Sequence, residues 1–203
     1  MIAVIDYGVG NLHSVQKAVE HVGGNSVVTN DAGVILGAEK VILPGVGAFK
    51  DGMQGLEDRQ LIAVIKEAVG SGKHFLGICL GMQLLFDESE EQGWARGLGL
   101  LPGKVIPFQQ PGIKIPQIGW NQLTLKKPSP LLTGIQTGEY VYFNHSYYCE
   151  PDSKDPLLAT THYSVAFASV VSHENVFGVQ FHPEKSQLVG QTILKNFIEL
   201  VDE

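Results

Sequence analysis

Along the first hundred positions, short unbroken apolar runs alternate with apolar stripes at helical spacing. Ile2-Ala3-Val4-Ile5 is a run closed by Asp6-Tyr7-Gly8, after which Leu12, Val15, Val19 and Val22 recur every three or four residues up to Gly23-Gly24. That pattern predicts a strand, a loop and a helix with one apolar face. Val27-Val28 and Val41-Ile42-Leu43 predict further buried strands, the second entering the glycine-rich turn Pro44-Gly45-Val46-Gly47. Leu61, Val64, Ile65, Ala68 and Val69 form another helical stripe. Ser71-Gly72 and a strand from His74 to Ile78 follow, then a helix over Met82-Gln83-Leu84-Leu85-Phe86. Strand and helix in alternation predict an α/β fold with a largely parallel central sheet covered by helices on both faces.

Beyond residue 102 the texture changes. Prolines at 102, 107, 111, 116, 128 and 130 separate short strand-like stretches such as Val141-Tyr142-Phe143 and Val165-Ala166-Phe167, which predicts antiparallel hairpins added to the sheet. Val176 to Phe181 reads as one more strand, and Val189, Ile193, Phe197 and Leu200 mark a closing helix. With no internal repeat, low-complexity tract or linker, residues 1–203 are expected to form a single domain.

Charge narrows the function classes. Lys and Arg total 14 against 21 Asp and Glu, a formal net charge of −7, the opposite of what holding a nucleic-acid backbone requires. No apolar run approaches the ~20 residues of a membrane span, and the first residues lack the basic segment of a signal peptide. The expected location is therefore the cytoplasm, with no membrane partner. In that reducing compartment Cys79 and Cys149 are expected as free thiols.

Candidate chemistry centres on Gly77-Ile78-Cys79-Leu80-Gly81, a Gly-x-Cys-x-Gly pattern between an apolar strand and a helix. It is the cysteine form of a nucleophile elbow, in which flanking glycines let a tight turn lift the nucleophile above the sheet. The helix that follows directs its N-terminus at the sulfur and favours thiolate. Such a nucleophile needs a base. His182 follows an apolar strand and precedes Pro183-Glu184, and an extended backbone there puts His182 and Glu184 on one side, so that Glu184 can orient the imidazole. Among the other histidines, only His145 lies in a stretch that suits a substrate-binding edge. A zinc site built on Cys, His and Glu lacks the usual ligand spacing, so no metal is expected. The backbone N–H of Leu80 and a second from Pro44-Gly45-Val46-Gly47 are candidate oxyanion donors. Neither glycine-rich phosphate-binding pattern is present.

Together these residues resemble the class I, triad-type glutamine amidotransferases, whose signatures are Gly-x-Cys-x-Gly-x-Gln and His-x-Glu. More narrowly, the chain is similar to the glutaminase subunits of imidazole glycerol phosphate synthases. The matches are Asp6 to Leu12, Pro44 to Phe49, Gly77 to Gln83, Gly119-Trp120-Asn121, Tyr142 to Tyr147 and Phe181 to Ser186, in family order. Gln117-Ile118 stands where many members carry a His. The resemblance implies Cys79, His182 and Glu184 as the catalytic triad, and Val46 and Leu80 at the oxyanion hole. It implies Gly47, Gln83, Glu91, Ser146 and Tyr147 as glutamine-binding residues, no cofactor, and Asn11, Tyr142 and Lys185 facing a partner. That partner is a barrel-type cyclase/synthase subunit, forming a heterodimer and taking up ammonia. On the residues alone, a cysteine hydrolase or redox sensor acting by itself, or a non-catalytic scaffold, remains open.

Overall fold

The structure is a computed structural model describing residues 1–109 and 111–201; of the domain expected over 1–203, Gln110, Asp202 and Glu203 lie outside the described residues. Strand and helix alternate first: β1 (Ile2–Ile5), α1 (Leu12–His21), β2 (Ser26–Thr29), α2 (Ala32–Gly37), β3 (Lys40–Leu43), α3 (Phe49–Asp58), α4 (Leu61–Gly70), β4 (His74–Ile78) and α5 (Leu80–Leu84). Strands then dominate: β5 (Phe86–Ser89), β6 (Ala95–Arg96), β7 (Leu101–Pro107), β8 (Gln117–Gln122), β9 (Thr124–Leu125), β10 (Tyr140–His145), β11 (Tyr147–Pro151), β12 (Leu157–Tyr163), β13 (Val165–His173) and β14 (Val176–Val179), before α6 (Gln187–Glu199).

The main sheet has eight strands in the order β2-β1-β3-β4-β14-β13-β12-β9. From β2 to β14 the pairings are parallel; β13, β12 and β9 continue it antiparallel. Because β1, β3, β4 and β14 are parallel, the segments that leave them, at Asp6, Pro44, Cys79 and Gln180, gather along one edge. Both faces of the sheet are buried. Val4, Ile42 and Leu76 pack with Val15 and Val19 of α1 and with Ile193 and Phe197 of α6. Their strand neighbours Ala3, Ile5, Val41, Leu43 and Phe75 point the other way, onto Leu56 of α3 and Ile65 of α4. Each large side chain buried this way contributes about 1.5–3 kcal/mol.

Two expectations are corrected. The antiparallel strands do not all join the main sheet, since β10 pairs with β8 alone and β11-β7-β5-β6 form a separate sheet. The helix expected to reach Phe86 ends at Leu84, and Phe86 begins β5. Its last carbonyls are taken by the returning chain, with Leu98 N–H donating to Leu84 O at 2.9 Å and Leu100 N–H to Leu85 O at 2.8 Å, which stops the helix as a cap would. Helix α3 went unpredicted because Gly52 and Gly55 dilute its apolar stripe. Those glycines serve close approach, since a Cβ on Gly55 would collide with the Tyr7 carbonyl oxygen.

Candidate active site

Cys79 stands between β4 and α5 with φ 54° and ψ −109°, a region that costs a non-glycine residue about 1–3 kcal/mol. The surroundings hold it there. Its N–H donates to Val179 O at 2.8 Å, and its carbonyl accepts from Gln83 N–H at 3.1 Å. The flanking glycines are needed for packing: a Cβ on Gly77 would lie 2.6 Å from Gly81 O, and one on Gly81 would run into the Leu43 carbonyl oxygen. The elbow is thus wedged against β3. In the neighbouring turn, a Cβ on Gly45 would strike the Tyr7 hydroxyl and come within 2.9 Å of Leu80 Cβ. Tyr7, fully buried, donates that hydroxyl to Pro44 O at 2.7 Å and so ties the turn down.

His182 leaves the end of β14 buried, and its Nδ1 lies 2.8 Å from Glu184 Oε1, both side chains being 2 % exposed. The predicted contact is present by a different route. Residues Pro183–Lys185 form a 3-10 turn closed by Lys185 N–H onto His182 O at 3.0 Å, because the proline ring fixes a φ suited to the first position of a helical turn. Burial pulls the His182 imidazolium down, but its interactions with Cys79 and Glu184 outweigh it and hold the group up at about 10. The imidazole therefore carries its proton at neutral pH.

Beside Cys79 opens a cavity of about 210 Å³ lined by Val46, Gly47, Leu80, Gln83, Glu91, Ser146 and Tyr147, together with Pro116, Asn144 and His145. Every residue assigned to glutamine or to the oxyanion hole borders this one space, which is below the ~300–1,000 Å³ of drug-sized pockets. A cysteine that borders an amino-acid-sized cavity and interacts with a buried His–Glu pair suits attack on a small amide. The sequence profile of the family described as Glutamine amidotransferase class-I matches residues 3–200. The chain belongs to the class I glutamine amidotransferases. This amidotransferase is 50 % identical over 203 residues to the imidazole glycerol phosphate synthase subunit HisH of Syntrophotalea carbinolica, covering 97 % of this chain and 98 % of the relative. It is 52 % identical over 200 residues to HisH of Moorella thermoacetica, covering 98 % and 95 %. The solved structure of PurLQS from Thermotoga maritima superposes with a TM-score of 0.74 at 22 % identity, covering 97 % of this chain and 96 % of that one, a likeness of fold.

Other features of the amidotransferase refine the site. Gly47 carries φ 113° with open space around it, whereas Gly45 is not in the left-handed region and is packed against the elbow. Freedom in this turn therefore lies at the exposed Val46–Gly47 side. Glu91 accepts from Phe49 N–H at 2.7 Å and so caps α3, whose own cap residue Ala48 makes no side-chain bond. Burial raises the Glu91 carboxyl, the Phe49 bond lowers it and the Asp51 charge raises it, for a net upward shift. Asn11 caps α1, accepting from Ser14 N–H at 3.3 Å. Lys185 Nζ sits 5.6 Å over the Tyr142 ring, which is 6.5 Å from His182. One residue escaped sequence reasoning, the fully buried Gln180, with Nε2 3.8 Å from Cys79 Sγ; the buried His145, expected at a substrate-binding edge, lines the cavity and has its Nδ1 2.7 Å from Tyr147 O. The spacing of Gln180 and His182, two apart in an extended segment, was the available signal for the missed residue. Among the described residues no His, Cys, Asp or Glu cluster suits a metal, and no helix is long and apolar enough to cross a membrane.

Proposed function

We propose that the chain, as one amidotransferase domain over residues 1–203, hydrolyses glutamine through Cys79, His182 and Glu184 and hands the ammonia to a synthase subunit in histidine biosynthesis. The observation that carries this is Cys79 bordering a cavity of amino-acid size while interacting with the buried His182–Glu184 pair. Cys79 sulfur attacks the side-chain amide carbon of glutamine, and the oxyanion is met by the Leu80 N–H at the start of α5 and by the Val46 amide. His182 gives its proton to the departing nitrogen, releasing ammonia and leaving a γ-glutamyl thioester. The neutral ring then takes a proton from water, which attacks the thioester carbonyl. The C–S bond breaks, glutamate leaves, and the proton returns to the pair. Glu184 keeps Nδ1 protonated and the ring aimed at the sulfur. Glu91 and Gln83, with the backbone of Gly47, Ser146 and Tyr147, hold the α-amino and α-carboxylate end.

A partner is supported by the subunit name of the relatives and by an exposed apolar patch. Trp120, Tyr140 and Leu188 are 45 %, 54 % and 74 % exposed and border one shallow hollow. Trp120 packs edge-on against Tyr142 at 6.0 Å, and Tyr142 adjoins His182. The surface beside the triad thus suits a docked barrel-type cyclase/synthase subunit in a cytoplasmic heterodimer, with Asn11, Tyr142 and Lys185 facing it. The test is Cys79→Ala assembled with the synthase subunit. Glutamate release is expected to vanish while synthesis from ammonium salts continues, and a glutamine-like alkylator is expected to label Cys79 and spare Cys149, which is 1 % exposed and whose thiol burial pushes up. Retained glutaminase activity in Cys79→Ala rules the assignment out.

A further inference from the structure

We propose that Gln180 is a positioning residue for the nucleophile: locked in one orientation by Gln83, its side-chain amide donates to Cys79 Sγ and holds the sulfur as an aligned thiolate. This rests on the amidotransferase mechanism above. Strand register explains the proximity. β14 and β4 pair in parallel with Val179 opposite Ile78, so Gln180 and Cys79 are the next residues along two neighbouring strands. Gln180 Nε2 lies 3.8 Å from Sγ, and the side chain is wholly buried, so no water competes for the contact.

An amide can face sulfur with either end, and its neighbours decide which. The Tyr147 carbonyl can only accept, and Gln83 Nε2 donates to it at 3.0 Å. The same nitrogen lies 3.2 Å from Gln180 Oε1 and donates there as well. With its oxygen engaged, Gln180 has only its NH₂ group left for the sulfur. Turning it over would set two donors against each other and a carbonyl against Sγ, leaving buried groups unsatisfied. The anchor at Tyr147 is itself doubly held, because His145 Nδ1 also donates to that carbonyl, at 2.7 Å. Burial, which the bond to Tyr147 opposes and the charge of His182 reinforces, pulls the His145 imidazole down to about 4. The ring is therefore neutral at working pH, with Nε2 bare and buried among Phe108, Phe143 and Phe167.

Of the titratable groups around the sulfur, His182 favours its charged form, whereas Tyr7 and Cys149 are buried beside it; on its contact with Asn144 the polarity is the reverse of that with Gln180. Asn144 O lies 3.9 Å from Sγ and can bond only an S–H. Gln180 and Asn144 thus favour opposite states of the same atom, and a donor to a charged acceptor is worth roughly tenfold to a hundredfold in that equilibrium.

The experiment compares the parent chain with Gln180→Met, of similar length without a donor, and with Gln180→Glu, of the same shape with an acceptor facing sulfur. Iodoacetamide alkylation of Cys79 is followed against pH by peptide mapping. Glutamine kcat and KM are measured in the assembled complex, and ammonium-driven synthesis reports an intact fold. The rise of alkylation with pH is expected to move upward in Gln180→Met by about one unit and further in Gln180→Glu. Glutamine kcat is expected to fall about tenfold or more, with KM nearly constant and ammonium-driven synthesis unchanged. Parental pH profiles in both variants, or a lowered kcat without displacement of the profile, overturn the proposal. A parent chain that releases no glutamate in the complex instead overturns the glutaminase mechanism.

Discussion

At His182 the proposed chemistry depends on a proton held at a pH where an isolated imidazole would lose it. His182 is raised to about 10 because Cys79 and Glu184 together outweigh burial. With the imidazole pKa above its ordinary value, the ring keeps its proton as pH rises from neutrality and loses it near that value. Loss of the general acid should therefore form the alkaline limb of glutamine turnover. Glu184→Gln removes one of the supports, so the imidazolium is expected to deprotonate earlier and the alkaline limb of kcat to shift to lower pH. The same change should lower kcat by about 10²–10⁴, as when a triad carboxylate is neutralised, and less than loss of His182. A pH–rate profile identical to the parent's would remove Glu184 from the orienting role.

Among the elements, the elbow shows how a local motif depends on its neighbour. Gly-x-Cys-x-Gly announced a tight strand-to-helix turn, but the reason for Gly81 lies across the sheet in β3, where the Leu43 carbonyl occupies the space of a Cβ. Gly81→Ala is expected to destabilise the protein by about 2–4 kcal/mol, through forced separation of β3 from α5. Thermal unfolding measures this, and a melting temperature within a degree of the parent's would mean that the turn relaxes freely. The same elements mark the limits of periodicity. The stripes of α1 and α4 are clean and were legible, whereas α3 is interrupted by Gly52 and Gly55 and is capped by Glu91 from a distant loop, which no local pattern reports. Likewise the His182–Glu184 pairing was legible as a spacing, while the 3-10 turn that makes it was not.

For the whole molecule, rings connect an exposed surface to the proposed triad: Trp120 to Tyr142 at 6.0 Å, Tyr142 to His182 at 6.5 Å, with His182 N–H donating to Tyr142 O at 2.9 Å. In the proposed complex a partner seated on Trp120 would press on groups that touch His182. The exposed Val46–Gly47 peptide offers a second movable element, since an absent oxyanion donor costs about 10²–10³ in turnover. The chain alone is expected to release glutamate slowly, and faster by that order when both the synthase subunit and its nucleotide ligand are bound. The rates to compare are those of the chain alone, with partner, and with partner plus ligand; equal rates in all three would exclude a partner-controlled oxyanion hole.

By itself the sequence determined the alternation of strands and helices, the tight turn at Cys79 and the closeness of His182 to Glu184. All of these rest on contacts a few residues apart, or on a single repeating period. Tertiary structure decided which strands pair and in what register, and with that everything spanning large sequence distances. Examples are the gathering of Val46, Gln83, Glu91 and Tyr147 around one cavity, the separate small sheets, and Gln180 beside Cys79. Side-chain alternation says which way a residue points from its own strand. What it meets there is set by the neighbouring strand, whose identity depends on how both faces of the sheet are buried at once.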